Sequence, residues 1–166
     1  MEYKKVNLSD YSKESVPSGK PYRIGIIHAE WNSNITDALT DGAYNTLIEH
    51  GVDKDHITKI AVPGTFELTT AADLMLTTNS QFDALICIGC VIQGETRHFD
   101  FICDAVSNGL TNVSLKHGKP VIFSVLTTNN MEQAQERAGG KHGNKGIEGA
   151  VTALKMCDLH RRLKTL

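Results

Sequence analysis

Several features that mark other classes of protein are missing from this 166-residue sequence. No apolar run approaches the roughly 20 residues that a helix needs to cross a bilayer, and the first twenty residues contain no apolar stretch of the kind found in secretory signals. The 17 Lys and Arg nearly balance the 19 Asp and Glu, and aromatic residues make up only 6% of the chain. We therefore predict a cytoplasmic protein without a membrane or nucleic-acid partner.

Cysteine is scarce, and its four copies do not form a metal-binding pattern. Cys87 and Cys90 have C-x-x-C spacing, but they lie in the apolar run DALICIGC, which is typical of a buried strand. Residues three apart on a strand point to opposite faces, so these thiols would diverge instead of sharing a zinc ion. We predict buried core thiols and no metal site.

The signatures of common catalytic and nucleotide-binding sites are missing as well. The glycine-rich segment at residues 136–146 lacks the Walker A pattern, and the chain has no G-x-G-x-x-G of a dinucleotide site. No serine lies in a nucleophile context such as G-x-S-x-G. The sequence thus offers no candidate protein nucleophile.

What is present is an alternation of strand-like and helix-like patterns. Short apolar runs, which predict strands, occupy residues 22–28, 56–62, 82–90 and 121–126. Apolar residues at helical spacing occupy residues 32–50, 68–76, 98–117 and 144–163. A short helix is predicted to start near Asn129, with Glu132 as its capping-box partner. Strands joined through helices pair in parallel, so we predict a three-layer α/β/α sandwich with a four-stranded parallel sheet.

The organisation of the chain is simple. The run at residues 82–90 is the most apolar and is therefore predicted at the centre of the sheet. Residues 1–20 are polar and form a predicted N-terminal arm, which leaves residues 21–166 as one domain. Because open α/β sheets bind ligands beyond the carboxyl ends of their strands, the candidate site residues are those that directly follow the strands.

The segment after the third strand, residues 94–98, runs into a helix start, where free N–H groups favour an anion. Thr96 adds a hydroxyl donor and Arg97 a cation, so a phosphate site is one interpretation and an ordinary capped helix start is the other. His98 could transfer protons beside such an anion, or lie at the surface next to the cap. The local residues leave both interpretations open.

Two other segments carry candidates. Arg137 and Lys145 lie in the basic, glycine-rich loop before the last helix, and they would complement the site at Thr96 if the two regions meet in space. Otherwise the loop is a solvated connection. Trp31 follows the first strand and Phe66 the second, so each could stack on a flat heterocycle or pack at the edge of the core.

Together these segments resemble the 6,7-dimethyl-8-ribityllumazine synthase family over about residues 22–163. The resemblance rests on four motifs in order: VPGTFE at residues 62–67, GCVIQGETRHFD at 89–100, the segment 120–129, and ERAGGKHGNKG at 136–146. It implies a flavodoxin-like fold and the condensation of 5-amino-6-ribitylaminouracil with 3,4-dihydroxy-2-butanone 4-phosphate. This reaction releases phosphate and water, forms the lumazine of riboflavin biosynthesis, and uses no metal or organic cofactor.

The resemblance also implies roles for individual residues. Trp31 should stack on the pyrimidine, and the backbone of Val91 and Ile92, next to Cys90, should hold its edge. The residues implied for the ribityl chain are Asn32, Thr65, Phe66 and Glu67. Those implied for the phosphate are Gly94, Glu95, Thr96 and Arg137. His98 should move protons, so His98 and Arg137 are the implied catalytic residues, and a neighbouring subunit should contribute Phe123, Arg137 and Lys145.

Two residues depart from the family pattern. Cys90 stands where many relatives have Thr, and Arg97 stands where a small or hydroxyl residue is common. The sequence leaves open whether Arg97 strengthens the phosphate site or faces solvent.

The family assembles as pentamers, and in many bacteria twelve pentamers form a shell. The short connection GGKHGNKG resembles that of shell-forming members, so we expect a homopentamer built into a 60-subunit capsid, with riboflavin synthase as a candidate partner. The arm is expected to add a strand to a neighbour's sheet. A non-catalytic lumazine- or flavin-binding protein, or a shell protein, is the alternative function on the same fold.

Overall fold

The computed structural model describes Asn7 and residues 9–166, and its centre is a four-stranded parallel sheet. The strands in chain order are β1 (Ile24–Ala29), β2 (Ile57–Val62), β3 (Ala84–Ile92) and β4 (Val121–Thr128). They lie in the order β2-β1-β3-β4, with every neighbouring pair parallel. The sheet predicted from the alternating patterns is confirmed, and the most apolar run is an inner strand.

Helices cover both faces of the sheet, which completes the predicted three layers. They are α1 (Ser33–Glu49), α2 (Leu68–Thr78), α3 (His98–His117), α4 (Met131–Glu136) and α5 (Lys145–Leu163). One apolar core lies between the sheet and α1 and α5, and the other lies between the sheet and α2 and α3. Within the described residues, no helix is both long and apolar enough to cross a membrane.

The two thiols of the C-x-x-C sequence belong to different cores, as predicted. Cys90 packs in the core that contains α1 and α5, and Cys87 packs in the core that contains α2 and α3. Burial raises the pKa of the Cys87 thiol to about 12 and that of Cys90 to about 11. Both side chains therefore remain protonated near neutral pH and act as small apolar core residues.

The start of α4 differs from the prediction by one residue. Asn130, not Asn129, is the N-cap, and its Oδ1 accepts a hydrogen bond of 2.9 Å from the backbone N–H of Gln133. The Oε1 atom of Gln133 in turn accepts from the N–H of Asn129 at 2.9 Å. The prediction of Glu132 as the capping partner is therefore wrong, because the shifted cap places Gln133 at the third helical position.

A small antiparallel ribbon before α5 was not predicted from the sequence. Its strands are β5 (Ala138–Gly140) and β6 (Gly143–Asn144). The strands themselves depend on glycine, since Gly139 in β5 has a φ of 114° and Gly143 in β6 a φ of 79°. The sequence had indicated only a basic, glycine-rich loop here, and the structure shows that strand pairing orders it.

The described part of the N-terminal arm packs on its own chain. The Tyr11 hydroxyl shares a hydrogen bond of 3.3 Å with His50 Nε2, and the N–H of Gly19 donates to the His50 carbonyl at 2.7 Å. The Oγ atom of Ser9 accepts from the N–H of Asn144 at 2.9 Å. Residues 1–6 and 8 lie outside the described residues, so strand addition by the arm and its boundary at residue 20 stay predictions.

Candidate active site

A cleft of about 730 Å³ opens at the carboxyl ends of β1, β2 and β3. This is where an open α/β sheet places its ligand site. Nine of the residues predicted for the site line it: Trp31, Asn32, Thr65, Phe66, Glu67, Cys90, Val91, Ile92 and His98. Four separate segments of the chain therefore meet at one edge of the sheet.

The segment after β1 places an aromatic ring at the mouth of the cleft. Trp31 is 74% exposed, and its backbone N–H donates to the Pro63 carbonyl at 3.1 Å. Asn32 has a φ of 62°, and its Nδ2 donates to the Cys90 carbonyl at 3.0 Å. This left-handed turn, fixed by a side-chain bond to β3, brings the chain from the strand into α1 and holds the indole at the surface.

The segment after β2 forms the opposite side of the cleft. A short 3-10 turn, Thr65–Glu67, buries Thr65 and leaves the ring of Phe66 54% exposed. Thr65 packs directly on β3 at Gly89, where an added Cβ atom would lie 2.6 Å from the Thr65 hydroxyl oxygen. Glycine at 89 is thus required for the close approach that presents Phe66 and Glu67 to the cleft.

The segment between β3 and α3 is exposed and carries the predicted phosphate site. The Gln93 side chain donates to the Gly94 carbonyl at 2.9 Å, and the Thr96 hydroxyl oxygen accepts from the His98 N–H at 3.4 Å. The N-cap residue of α3 is Arg97, which makes no side-chain capping bond, so both interpretations of this segment stay open. The N–H of Asp100 donates to the Arg97 carbonyl at 3.1 Å, so the first turn of α3 already uses some of its N–H groups within the chain. The positive end of the helix still favours an anion near this segment.

Some lining residues were not predicted. Gly64, Phe101 and Ile102 also line the cleft, and Phe101 is 65% exposed. Phe101 and Ile102 stand three and four residues after His98, so they share its face of α3. Helical spacing from His98 was the signal that would have identified Phe101 and Ile102.

Phe123, Arg137 and Lys145 do not line the cleft. Two hydrogen bonds nevertheless bring them together: Ser124, next to Phe123, donates from Oγ to the Lys145 carbonyl at 2.8 Å, and the Lys145 N–H donates to the Arg137 carbonyl at 2.9 Å. We call Phe123, Arg137 and Lys145 the cationic edge, because they lie on or beside β4, an outer strand of the sheet. Three segments thus lie together at this edge of the sheet, outside the cleft lining, with the Phe123 side chain on the opposite face of β4 from that of Ser124.

Arg137 is held by backbone and carboxylate oxygens. Its Nη1 donates to the Gln133 carbonyl at 3.0 Å and lies 3.8 Å from Glu136 Oε2. Glu136 also pairs with Lys141, and its Oε2 lies 3.6 Å from His142 Nε2. The hydrogen bond from Lys141 is the main reason why the pKa of Glu136 lies below its usual value. The carboxylate therefore stays ionised and fixes the cations around it.

The fold and the cleft define a class: three-layer α/β proteins with a small-molecule site at the carboxyl edge of a parallel sheet. Residues 21–161 match the family described as 6,7-dimethyl-8-ribityllumazine synthase. Proteins of that name are 59% identical in Porphyromonas gingivalis (93% of this chain, 96% of the relative) and 59% in Cytophaga hutchinsonii (90% and 93%). A protein of that name from Christiangramia forsetii is 48% identical, over 95% of this chain and 94% of the relative. The chain belongs to the 6,7-dimethyl-8-ribityllumazine synthase family.

Proposed function

We propose that this chain condenses 5-amino-6-(D-ribitylamino)uracil with 3,4-dihydroxy-2-butanone 4-phosphate, forming 6,7-dimethyl-8-ribityllumazine, phosphate and water. Family membership over residues 21–161 supports the reaction. The single observation in the structure that carries it is the cleft itself, in which exposed aromatic rings flank polar groups and one histidine. A flat heterocycle with a polyol chain fits such a lining.

The chemistry explains the residue types in the cleft. The amine of the uracil attacks the ketone carbonyl, and water leaves as the Schiff base forms. Phosphate is then eliminated, and the enol that remains tautomerises to a ketone. The ribityl-bearing nitrogen attacks this new carbonyl, and loss of a second water completes the ring. The nucleophiles belong to the substrate, so the protein supplies orientation and proton transfer, and His98 is our candidate for the latter.

The substrates can be assigned to parts of the cleft. Trp31 stacks on the pyrimidine, the backbone of Val91 and Ile92 binds its edge, and Cys90 packs beside it. Thr65, Phe66 and Glu67 contact the ribityl chain. Asn32 acts in part by holding its own loop, since its amide already bonds the Cys90 carbonyl.

The phosphate site is proposed to form between subunits. Gly94, Glu95 and Thr96 supply donors at the start of α3, and the cationic edge of a neighbour supplies Arg137 and Lys145, with Phe123 covering the heterocycle. The separation of the cationic edge from the cleft within one chain supports this arrangement. Departure of phosphate needs a fixed positive charge, and we assign this role to Arg137 of the neighbouring subunit.

We also propose a homopentamer, assembled further into a 60-subunit shell, in the cytoplasm. Sixty copies of an 18.2 kDa chain give a particle of about one megadalton. Light scattering near that mass supports the shell, and a particle of five subunits contradicts it. Riboflavin synthase is the proposed partner, tested by co-purification with the assembled particle.

The activity is tested with both substrates and purified protein, by following the fluorescent lumazine and released phosphate. A reaction without protein gives the uncatalysed rate. Fast product formation that is lost in Arg137→Ala supports both the activity and the phosphate site. Product at the uncatalysed rate, together with tight binding of the lumazine, favours a non-catalytic binding protein instead.

A further inference from the structure

Arg97 is a cation at the rim of the cleft. Its guanidinium carbon lies 5.7 Å from the ring centroid of Phe101, which lines the cleft, and its Nε lies 3.6 Å from Asp100 Oδ2. The side chain is 82% exposed. Stacking on the ring and pairing with the carboxylate therefore place the guanidinium beside the opening of the cleft.

On this chain's own side of the phosphate site, the carboxylates near the start of α3 oppose a phosphorylated ligand, and Arg97 is the cation beside them. Glu95 and Asp100 are both exposed on the segment that leads into α3, and no Lys or Arg of the described chain lines the cleft. Arg97 is the one permanent cation between residues 93 and 102. Its two terminal nitrogens make no hydrogen bond to the described residues, so their donors remain available to an anion.

We propose that Arg97 is a specificity-determining residue, which favours the phosphorylated substrate by offsetting Asp100 and placing a positive charge at the cleft rim. This inference rests on the proposed function. It concerns the entry and binding of the butanone phosphate, and it leaves proton transfer to His98. The uncharged ribitylaminouracil gains nothing from Arg97.

A matched control lies elsewhere in the chain. Arg161 makes the same two kinds of contact: its Nη2 lies 3.0 Å from Asp158 Oδ1, and its guanidinium carbon lies 5.9 Å from the ring centroid of Tyr22. It is on the last part of α5, away from the cleft lining. Arg161→Gln therefore removes an equivalent surface charge without changing the rim.

The experiment measures the KM for each substrate in wild type, Arg97→Gln, Arg97→Lys and Arg161→Gln, at low and high salt. We expect Arg97→Gln to raise the KM for the butanone phosphate about three-fold at low salt. This is the scale expected when one exposed charge is lost from a binding site. The increase should shrink at high salt because the charge is screened. Arg97→Lys should restore the low KM, and the KM for the uracil should stay unchanged.

Three results overturn the proposal: an unchanged KM in Arg97→Gln, an equal rise for both substrates, or the same rise in Arg161→Gln. Failure of the proposed function has a different signature. If the wild-type protein forms lumazine only at the uncatalysed rate, the proposed function and the proposed role of Arg97 are both wrong. If wild type is active and only the Arg97 effect is missing, the proposed function stands.

Discussion

The cleft and the cationic edge are the two halves of the proposed active site, and they differ in the kinds of residue they contain. The cleft has aromatic rings, a carboxylate and an imidazole, and none of the Lys or Arg of the described chain among its lining residues. The cationic edge has Arg137, Lys145 and an exposed ring, Phe123, but it lies outside the cleft. Each half lacks what the other contains, which is the pattern expected of a site completed by a second copy of the chain.

The two halves are also built differently. The cleft is fixed by the sheet, since its residues directly follow the strands and Thr65 packs on Gly89. The cationic edge is fixed by a hydrogen-bonded ribbon and by Glu136, which pairs with Arg137 and Lys141. The sheet and the short connections that leave it thus position the cleft, whereas an ion-paired ribbon positions the two cations.

Arg137→Ala should have the largest effect, because it removes the proposed charge that stabilises the departing phosphate. We expect kcat/KM to fall about 1,000-fold, the scale found for loss of one such group. The measurement is the steady-state rate of phosphate release with both substrates. Lys141→Ala is the control, since Lys141 pairs with the same carboxylate; an equal loss there would contradict a direct role for Arg137.

His98→Asn should be the next largest change. It keeps a side chain that can hydrogen-bond but removes the proton carrier, and we expect kcat to fall about 100-fold. The KM for the butanone phosphate should change little. This distinguishes His98, which acts in proton transfer, from the residues of the cationic edge, which act on the phosphate. An unaltered kcat across the pH range would show that proton transfer occurs elsewhere.

Asn32 tests how the cleft is held together. Asn32→Ala loses the bond to the Cys90 carbonyl and also places an alanine at a φ of 62°. The free energy of unfolding should fall by about 2 kcal/mol. Asn32→Gly loses the bond but relieves the backbone, so it should cost about half as much. Urea denaturation measures both, and equal losses would contradict the strain argument.

Glu136→Gln should have the smallest effect, because it loosens the cationic edge without removing a cation. We expect the KM for the butanone phosphate to rise about five-fold with little change in kcat. Since Lys141 holds the pKa of Glu136 below its usual value, the carboxylate is ionised throughout the neutral range. The effect should therefore be constant from about pH 6 to pH 8, and a larger effect at the alkaline end would contradict this role.

Much of the fold follows from the sequence, because strand and helix patterns report burial. The run at residues 82–90 predicted an inner strand, and β3 is buried along most of its length. The opposite faces of Cys87 and Cys90 followed from strand geometry alone. The ribbon before α5 was missed, since its three- and two-residue strands are too short to carry a pattern and depend on positive φ values at glycine.

The site was only partly predictable. Residues directly after strands, such as Trp31 and Phe66, follow from the rule for open sheets. Phe101 was missed because it lies inside a helix, where an apolar residue is normally taken as core. Asn32 was predicted as a ligand contact, and its bond to Cys90 needed the three-dimensional structure. No pattern in the sequence indicates that Arg137 and Lys145 lie close together. Only the structure shows this, through the hydrogen bond between their backbones.

The most direct test of the two-half account is to mix two inactive variants. His98→Asn carries an intact cationic edge, and Arg137→Ala carries an intact cleft. Co-refolding equal amounts of both should restore about a quarter of wild-type activity, because that share of subunit contacts pairs an intact cleft with an intact edge. If the mixed oligomers are no more active than the separate variants, the cleft and the edge of one chain must form the site, and the account is wrong.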